Sequence, residues 1–511
     1  MKSIIFLLLL GFIFSAHANS TPPPLDSLIL SGKERIYELK FKEAEQLFVK
    51  TQQDFPEYPH GYVFQAYISA LMFGLDQSND SLAQVLVKQI DAATDVAKAF
   101  KKKHPDEADS YFYIAIASGI KALYHVINRS FIKGYFSGRS AKKNLEKVIK
   151  LDPNYNDAYL GLGMFHYYAD LLPGFLKFFA GILGFKGDRV RGRNEVYLAA
   201  SRGHVFKVEG EFIYHSIGYF LEGEKTTAIR AIQQLYRRYP TNQGFGLMIA
   251  YHYRRIGYPE KCIAYCQGFT DKFSKVVPQI TNLRYYNMAV SYYDLNKFAE
   301  SDSVLMLLDS LPTRKSMYYQ AGIDFYRGHL ADLRFEREKA LSFFNKIKKA
   351  GQTKYWFYRS QMHRNVAMDS LQYRYYIADN LLGIRKFRKS LDETLALKRD
   401  LDAGQKSLNP DLPFLVGDLL GLNHQYRGRL NEAKTAYDEI IPNLKTMRDD
   451  FHKCWIRIHY GRMLRTQNEL AAAQKVFESV SSDDDYTTLI ISREKFVTER
   501  MIKQQKHQSG E

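Results

Sequence analysis

Few residues in this chain have the types and spacing for chemistry. Cys262 and Cys266 stand four apart, on one helical face, and could supply half of a metal site. Yet they fill two positions that comparable segments give to Ala and to Phe, Leu or Ile, and Cys there behaves as a small buried hydrophobe. A disulfide at this spacing would be strained. Cys454 makes three cysteines, an odd number that forms no framework of bridges. His452 and His459 are seven apart and share a helical face, but Cys454 points elsewhere and a fourth ligand is lacking, so no metal is expected. Asp483-Asp484-Asp485 precedes one helix and Asp188 another, and both read as N-caps that complement the helix dipole. Asn79-Asp80-Ser81 and Asn128-Arg129-Ser130 fit the glycosylation sequon, relevant only in a eukaryotic secretory host. The chain has no nucleophile elbow, phosphate-cradling glycine loop, zinc-protease helix or dinucleotide fingerprint. Its carboxylates are scattered over every expected helix. Neither an enzyme nor a cofactor follows from such a pattern.

The elements that carry these residues are helices. Of 511 residues 46% are hydrophobic and 25% charged, the balance of a soluble globular protein. Gly (32) and Pro (15) fall below the usual ~12%, which argues against many short strands. Lys2, the apolar run Ile4–Phe14 and Ala16-His17-Ala18 predict a cleaved signal peptide over 1–18, with a Pro-rich spacer at 19–24. The mature chain is therefore expected outside the cytoplasm, in the periplasm if the source is a Gram-negative bacterium and secreted otherwise. The formal charge is +17, and in an exported protein such a charge points to lipid head groups, acidic polysaccharides or acidic proteins. No zinc finger, aromatic RNA-binding motif or continuous basic helix suggests nucleic acid.

Internal repetition sets the fold. Gly32, Ala44, Phe48 and Pro56 mark a helix-turn-helix unit: small residues where two antiparallel helices approach, a large one toward the next unit, and Pro at the exit. The spacing recurs at Ala141, Leu145 and Pro153; at Ala228, Ile232 and Pro240; at Cys262 and Cys266; at Ser301 and Leu305; and at Ala340 and Phe344. Gly421, Ala433 and Tyr437, then Gly461, Ala473 and Phe477, repeat it with the same twelve-residue step from Gly to Ala. The units divide into an array over 25–240, interrupted by an apolar insertion at 168–189, and a second over 241–485. An amphipathic helix over 486–505 follows as an end cap, and 506–511 reads as a disordered tail.

This pattern resembles the tetratricopeptide repeat (TPR) family over nearly all of 25–485. The resemblance implies an all-α solenoid, a right-handed superhelix of about ten antiparallel helix pairs. Within it, His166-Tyr167-Tyr168-Ala169-Asp170-Leu171-Leu172-Pro173-Gly174, running on to Gly184-Phe185-Lys186-Gly187-Asp188, resembles the central signature of the tetratricopeptide-repeat 39 family across 155–240. Gly174 stands where that family has a second Pro. The family has been linked to lipid droplets and to clearance of aggregated protein. Residues 171–185 are expected to fold back as a short helical hairpin against neighbouring repeats.

In TPR arrays the first helix of each repeat lines a concave groove. The corresponding positions here are Tyr167, Tyr168, Tyr251, Arg254, Arg255, Tyr286, Tyr293, Tyr426, Trp455, Arg462 and Arg465. Such an aromatic and arginine-rich groove suits a protein or peptide partner with acidic segments. The alternative for each tyrosine is packing between repeats, and for the arginines, ion pairs with Asp and Glu of adjacent repeats. The expected function is a non-enzymatic scaffold of the cell envelope, with a lipid- or envelope-surface-binding protein as the rival.

Overall fold

The computed structural model describes residues 22–77, 79–128, 130–171, 187–270, 277–313 and 315–509. Among them are 24 α-helices and no strand. The first pairs are α1 (Pro23–Tyr37) with α2 (Phe41–Asp54), α3 (His60–Leu75) with α4 (Asp80–Lys103), and α5 (Ala108–Ile127) with α6 (Phe131–Leu151). Then come α7 (Ala158–Asp170) with α8 (Arg189–Arg202), α9 (Lys207–Leu221) with α10 (Lys225–Arg238), and α11 (Gln243–Arg255) with α12 (Pro259–Gln267). Next are α13 (Pro278–Asp294) with α14 (Phe298–Ser310), α15 (Met317–Leu333) with α16 (Arg337–Phe344), and the single α17 (Lys354–Asn365). The array closes with α18 (Ser370–Gly383) and α19 (Phe387–Asp402), α20 (Leu412–Tyr426) and α21 (Leu430–Ile440), α22 (Asp450–Thr466) and α23 (Leu470–Glu478), and a last helix, α24 (Asp485–Ser509). This is a TPR-like all-α solenoid.

Two local devices build the pairs. At Gly328, Gly421 and Gly461 an added Cβ would stand 2.6–2.7 Å from the ring of Phe344, Tyr437 or Phe477, sixteen positions on in the partner helix. The glycine lets the two helices close on a large ring. Where Ala replaces Gly, a serine hydroxyl holds the crossing: Ser301 Oγ donates to Ala289 O at 2.9 Å and Ser390 Oγ to Ala378 O at 2.7 Å. The turn inside each such pair then ends in a left-handed residue, among them Leu39, Asn296, Phe335, Arg385 and Asn468, with Gly at 223, 257 and 428. A six-residue closing bond accompanies it, as in Lys297 N–H to Tyr292 O at 2.9 Å and Glu336 N–H to Ala331 O at 3.0 Å.

Several boundaries differ from the sequence reading. α1 begins at Pro23, inside the expected spacer, because Pro has no N–H to lose in a first helical turn. α24 reaches Ser509, so the helix continues into the segment read as a disordered tail. Asp484 is its N-cap, accepting from Thr487 N–H at 2.7 Å, while Asp483 accepts from Lys354 Nζ at 2.8 Å. Asp188 caps α8, accepting from Arg191 N–H at 2.9 Å. The hairpin expected at 171–185 lies, apart from Leu171, outside the described residues, as does most of the 168–189 insertion.

The apolar core falls into clusters: one has members from Leu25 to Met288, a second from Tyr286 to Phe477, and a smaller one joins Tyr37 to Ala228, Ile232, Leu235 and Tyr239. The array is wound tightly enough for distant turns to touch. Tyr239 Oη donates to Glu34 Oε1 at 3.0 Å and Asn242 Nδ2 to Tyr37 O at 2.9 Å, joining α1 to the α10–α11 corner. α24 crosses inward to meet α17 and α9 rather than only covering α23.

Candidate functional site

The first helices of successive pairs turn toward one interior cavity of about 350 Å³. Its walls come from α1, α3, α9, α11, α13, α15 and α17, and Tyr486 of α24 adds a further wall. Four of the groove residues named from sequence meet here: Tyr251, Arg254, Arg255 and Tyr286. Arg254 lies 3.5 Å from Asp294 and 5.6 Å from the Tyr251 ring centre. Burial raises the Asp294 carboxyl despite that arginine. Arg255 has no ion pair among the described residues, and its nearest electrostatic neighbours are Tyr486, Tyr251 and Tyr355. Burial raises the Tyr251 and Tyr286 hydroxyls, so at neutral pH they remain protonated donors.

The seven other groove residues lie elsewhere. Tyr167 is fully buried and donates to Glu222 Oε1 at 3.0 Å. Tyr168 packs edge-on against it at 5.5 Å. Tyr293 is buried and bonded to His329 Nδ1 at 2.9 Å. These three are packing residues, because Tyr alternates with small residues along a helix that has neighbours on both sides. Tyr426 is 62% exposed and stacks on Phe387, away from the cavity. Trp455 stacks on Tyr486 at 6.3 Å, helping to seat α24.

Arg462 and Arg465 are spoken for within the chain. Glu494 of α24 accepts from Arg462 Nη2 at 2.8 Å, Arg465 Nη2 at 2.6 Å and Arg493 Nη2 at 2.7 Å. Only 2% of Glu494 is exposed, and the three guanidinium groups hold its carboxyl well below the usual carboxylate range against the opposing effect of burial. Farther along α24, Arg500 reaches Glu222 at 3.2 Å, and the Arg189 guanidinium lies 3.8 Å from the Phe496 ring centre. The expected end cap is thus a strut across the interior.

Sequence reasoning missed Arg359 and Trp356, which also line the cavity. The Arg359 guanidinium lies 4.6 Å from the Phe325 ring centre and 5.6 Å from that of Trp356, and Arg359 forms no ion pair among the described residues. The signal was the run Tyr355-Trp356-Phe357-Tyr358-Arg359, on a helix outside the repeat spacing. At the opposite side Glu209 is satisfied by an ion pair with Lys33 and by Tyr37 and Tyr67 hydroxyls, each at 2.5 Å. Burial brings the Lys33 amine down to about 8.

Cys262 and Cys266 are buried between paired helices, with Cys262 Sγ 3.9 Å from Asn287 O. His452 is bonded to Asp449 and His459 to Asp418, each at 2.9 Å. Among the described residues no three His, Cys, Asp or Glu are arranged to hold a metal ion, and no helix is long and apolar enough to cross a membrane.

No protein-family model matches the chain, and no curated protein matches its sequence. Among solved structures the chain is similar to yeast Tom70, at 12% identity and a TM-score of 0.33, with 86% of this chain and 88% of that one covered. It is similar to the human IFIT1 dimer with PPP-AAAA at 12% identity and 0.34, covering 86% and 94%. It is similar to the P58(IPK) TPR domain at 11% identity and 0.19, covering 84% and 98%.

Proposed function

We propose that this protein is a non-enzymatic interaction scaffold of the cell envelope that receives an acidic segment of a partner protein on the inner face of its helical array. One observation carries the reading: Arg255 and Arg359 line an aromatic interior with no carboxylate of the described residues within ion-pair distance. Two guanidinium groups kept among ring faces are a recognition surface waiting for charge, since Arg both forks onto carboxylates and stacks on aromatics. The Glu494 cluster is an internal precedent, an acidic residue on a helix captured by arginines of a first helix. The signal-peptide pattern at 1–18 supports the envelope location. Purified protein carrying Arg255→Ala is the test, in capture from an envelope fraction across a salt series. Partner capture should be lost with the melting temperature unchanged, and wild-type capture should weaken with salt. A variant that melts early yet still captures its partner would sink the reading.

A second reading has its own support, at the α5–α6 tip. Phe131, Ile132 and Phe136 are 64%, 76% and 62% exposed. The surrounding chain from Ser110 to Leu145 holds Lys121, Arg129, Lys133, Arg139, Lys142 and Lys143 but no Asp or Glu, while Lys121 pairs with Asp91 and Lys142 with Glu146. Apolar side chains ringed by cations suit an anionic membrane surface. Flotation with phosphatidylglycerol vesicles, compared with neutral ones and with Phe131→Ser/Ile132→Ser, tests it. Equal flotation of all three samples would remove it.

A further inference from the structure

The lining of the interior cavity changes character along the array. From α1, α3 and α9 it receives mostly apolar side chains, Ile36, Leu71, Leu75, Val208, Phe212 and Ile213 among them, with Glu209 and the Tyr37 and Tyr67 hydroxyls bonded to one another and Ser216 as the remaining polar group. The far helices supply Arg254, Arg255, Tyr326, Trp356 and Arg359. Helices α11 and α13 bridge the two, with Leu247 and Ile280 in their first halves and Tyr251 and Tyr286 farther on. Charge is just as unequal. Among the described residues Glu209 is the one acidic residue of the lining and is neutralised by Lys33, and Arg254 by Asp294, whereas Arg255 and Arg359 carry net positive charge into the far end. A further donor is idle there: Trp356 is 4% exposed and its indole N–H has no hydrogen-bond partner among the described residues.

A cavity of about 350 Å³ is within the range of small-molecule sites. A peptide strand could reach the arginines but would fit the apolar end poorly, because its backbone N–H and C=O groups would face Ile, Leu and Phe there. An alkyl chain asks nothing of that wall but contact, and each buried methylene adds to binding. At the other end a carboxylate or phosphate would give the two arginines a counter-charge and the tryptophan an acceptor that the described residues do not supply.

We infer that this cavity is a binding site for a single-chain amphiphilic anion, with the alkyl body between α1, α3 and α9 and the acidic head on Arg255 and Arg359, within reach of the Trp356 N–H. The inference shares Arg255 and Arg359 with the scaffold reading and differs from it in the occupant and in its use of the apolar end. The head is an oxyanion, either a carboxylate, as in a free fatty acid, or a phosphate, as in a lysophospholipid, and the two probes below separate these sources.

The full mature chain is titrated with dodecanoate, dodecyl phosphate and dodecanol, each below its micelle concentration, by calorimetry and by tryptophan fluorescence. One or both anions should bind with one-to-one stoichiometry, and dodecanol at least about tenfold more weakly, the worth of a charge-assisted contact. The tighter of the two anions identifies the head. Arg255→Ala should weaken it by about tenfold or more. Octanoate should bind at least about tenfold more weakly than dodecanoate, because four methylenes are missing. Leu71→Trp, which plugs the apolar end while leaving both arginines in place, should abolish anion binding but leave partner capture intact. Dodecanol binding as tightly as the anions would overturn the head-group assignment, and no saturable binding by any probe would overturn the site. Neither result would touch the scaffold reading, which fails only if Arg255→Ala leaves partner capture unaltered.

Discussion

Arg462 and Arg465 on one side, and Arg255 and Arg359 on the other, are the same residue type on inward-facing helices of the same array. Their surroundings separate them. The first pair, with Arg493, closes on the buried carboxylate of Glu494, three cations on one anion, and so ties α24 across the interior. The second pair faces tyrosine and tryptophan rings across a cavity, with no anion of its own. An arginine whose counter-charge is built into the chain is structure; one left without it in a concave, aromatic wall is available to a ligand.

The sharpest way to break this contrast is Glu494→Gln. It removes the charge from a nearly buried site and leaves three guanidinium groups facing one another, which should cost about 3–5 kcal/mol. A large drop in melting temperature is expected, with new tryptic cuts in α24. An unchanged melting curve would mean that α24 is held by its apolar contacts alone.

Acid should separate the two regions in a different order. His60 of α3 is held neutral by burial, with its pKa lowered to about 3, and His252 of α11 is lowered to about 4. His329 and His363 are lowered for the same reason. Each binds its proton more readily unfolded, near pH 6.5, than folded, so its contribution is complete above pH 6.5 and is lost as pH falls toward its folded value. The Glu494 carboxyl is also depressed, but its contribution begins to fade only below about pH 4.3, the unfolded value. Stability, and with it the melting temperature, should therefore fall from about pH 6.5 downward, by about 2 kcal/mol each for His60 and His252 at pH 5, while the Glu494 clamp still holds. His60→Phe should flatten that slope, and a flat profile from pH 7 to pH 5 would contradict the assignment.

Gly461→Ala acts on the clamp through packing. The new methyl would stand 2.6 Å from the Phe477 ring, shifting the helix that carries Arg462 and Arg465 at a cost of about 1–3 kcal/mol. Stability should fall while the cavity keeps its ligand. The smallest effect on stability belongs to Arg255→Ala, within about 0.5 kcal/mol, because no carboxylate is left unpaired. If that substitution destabilised the fold as much as Gly461→Ala does, Arg255 would be a structural residue like Arg462.

Much of the architecture was legible because it rests on local rules. The step from Gly461 to Ala473 to Phe477 can be read from the chain, since a ring in a second helix needs a residue without a side chain opposite it in the first. Asp188 and, of the three aspartates at the start of α24, Asp484 were readable as caps because a cap bonds within three residues of itself. The site was legible only in part. Repeat spacing singled out Tyr251, Arg254, Arg255 and Tyr286, which line the cavity, but it passed over Arg359, whose helix α17 stands outside the pairing.

What the sequence determined, then, was the set of helices, their pairing and the face each one buries, because periodicity, capping and close packing act over a few to some sixteen residues. Which arginine would meet an anion was decided only in three dimensions. Glu494 lies about thirty positions beyond Arg462 and Arg465 on a helix whose direction no local rule specifies, and Arg500 of that helix meets Glu222, 278 positions away. Ion pairs at such separations depend on how far the array winds and where α24 re-enters it. That is a sum of small angles over many packed pairs, and no segment of the chain records it by itself.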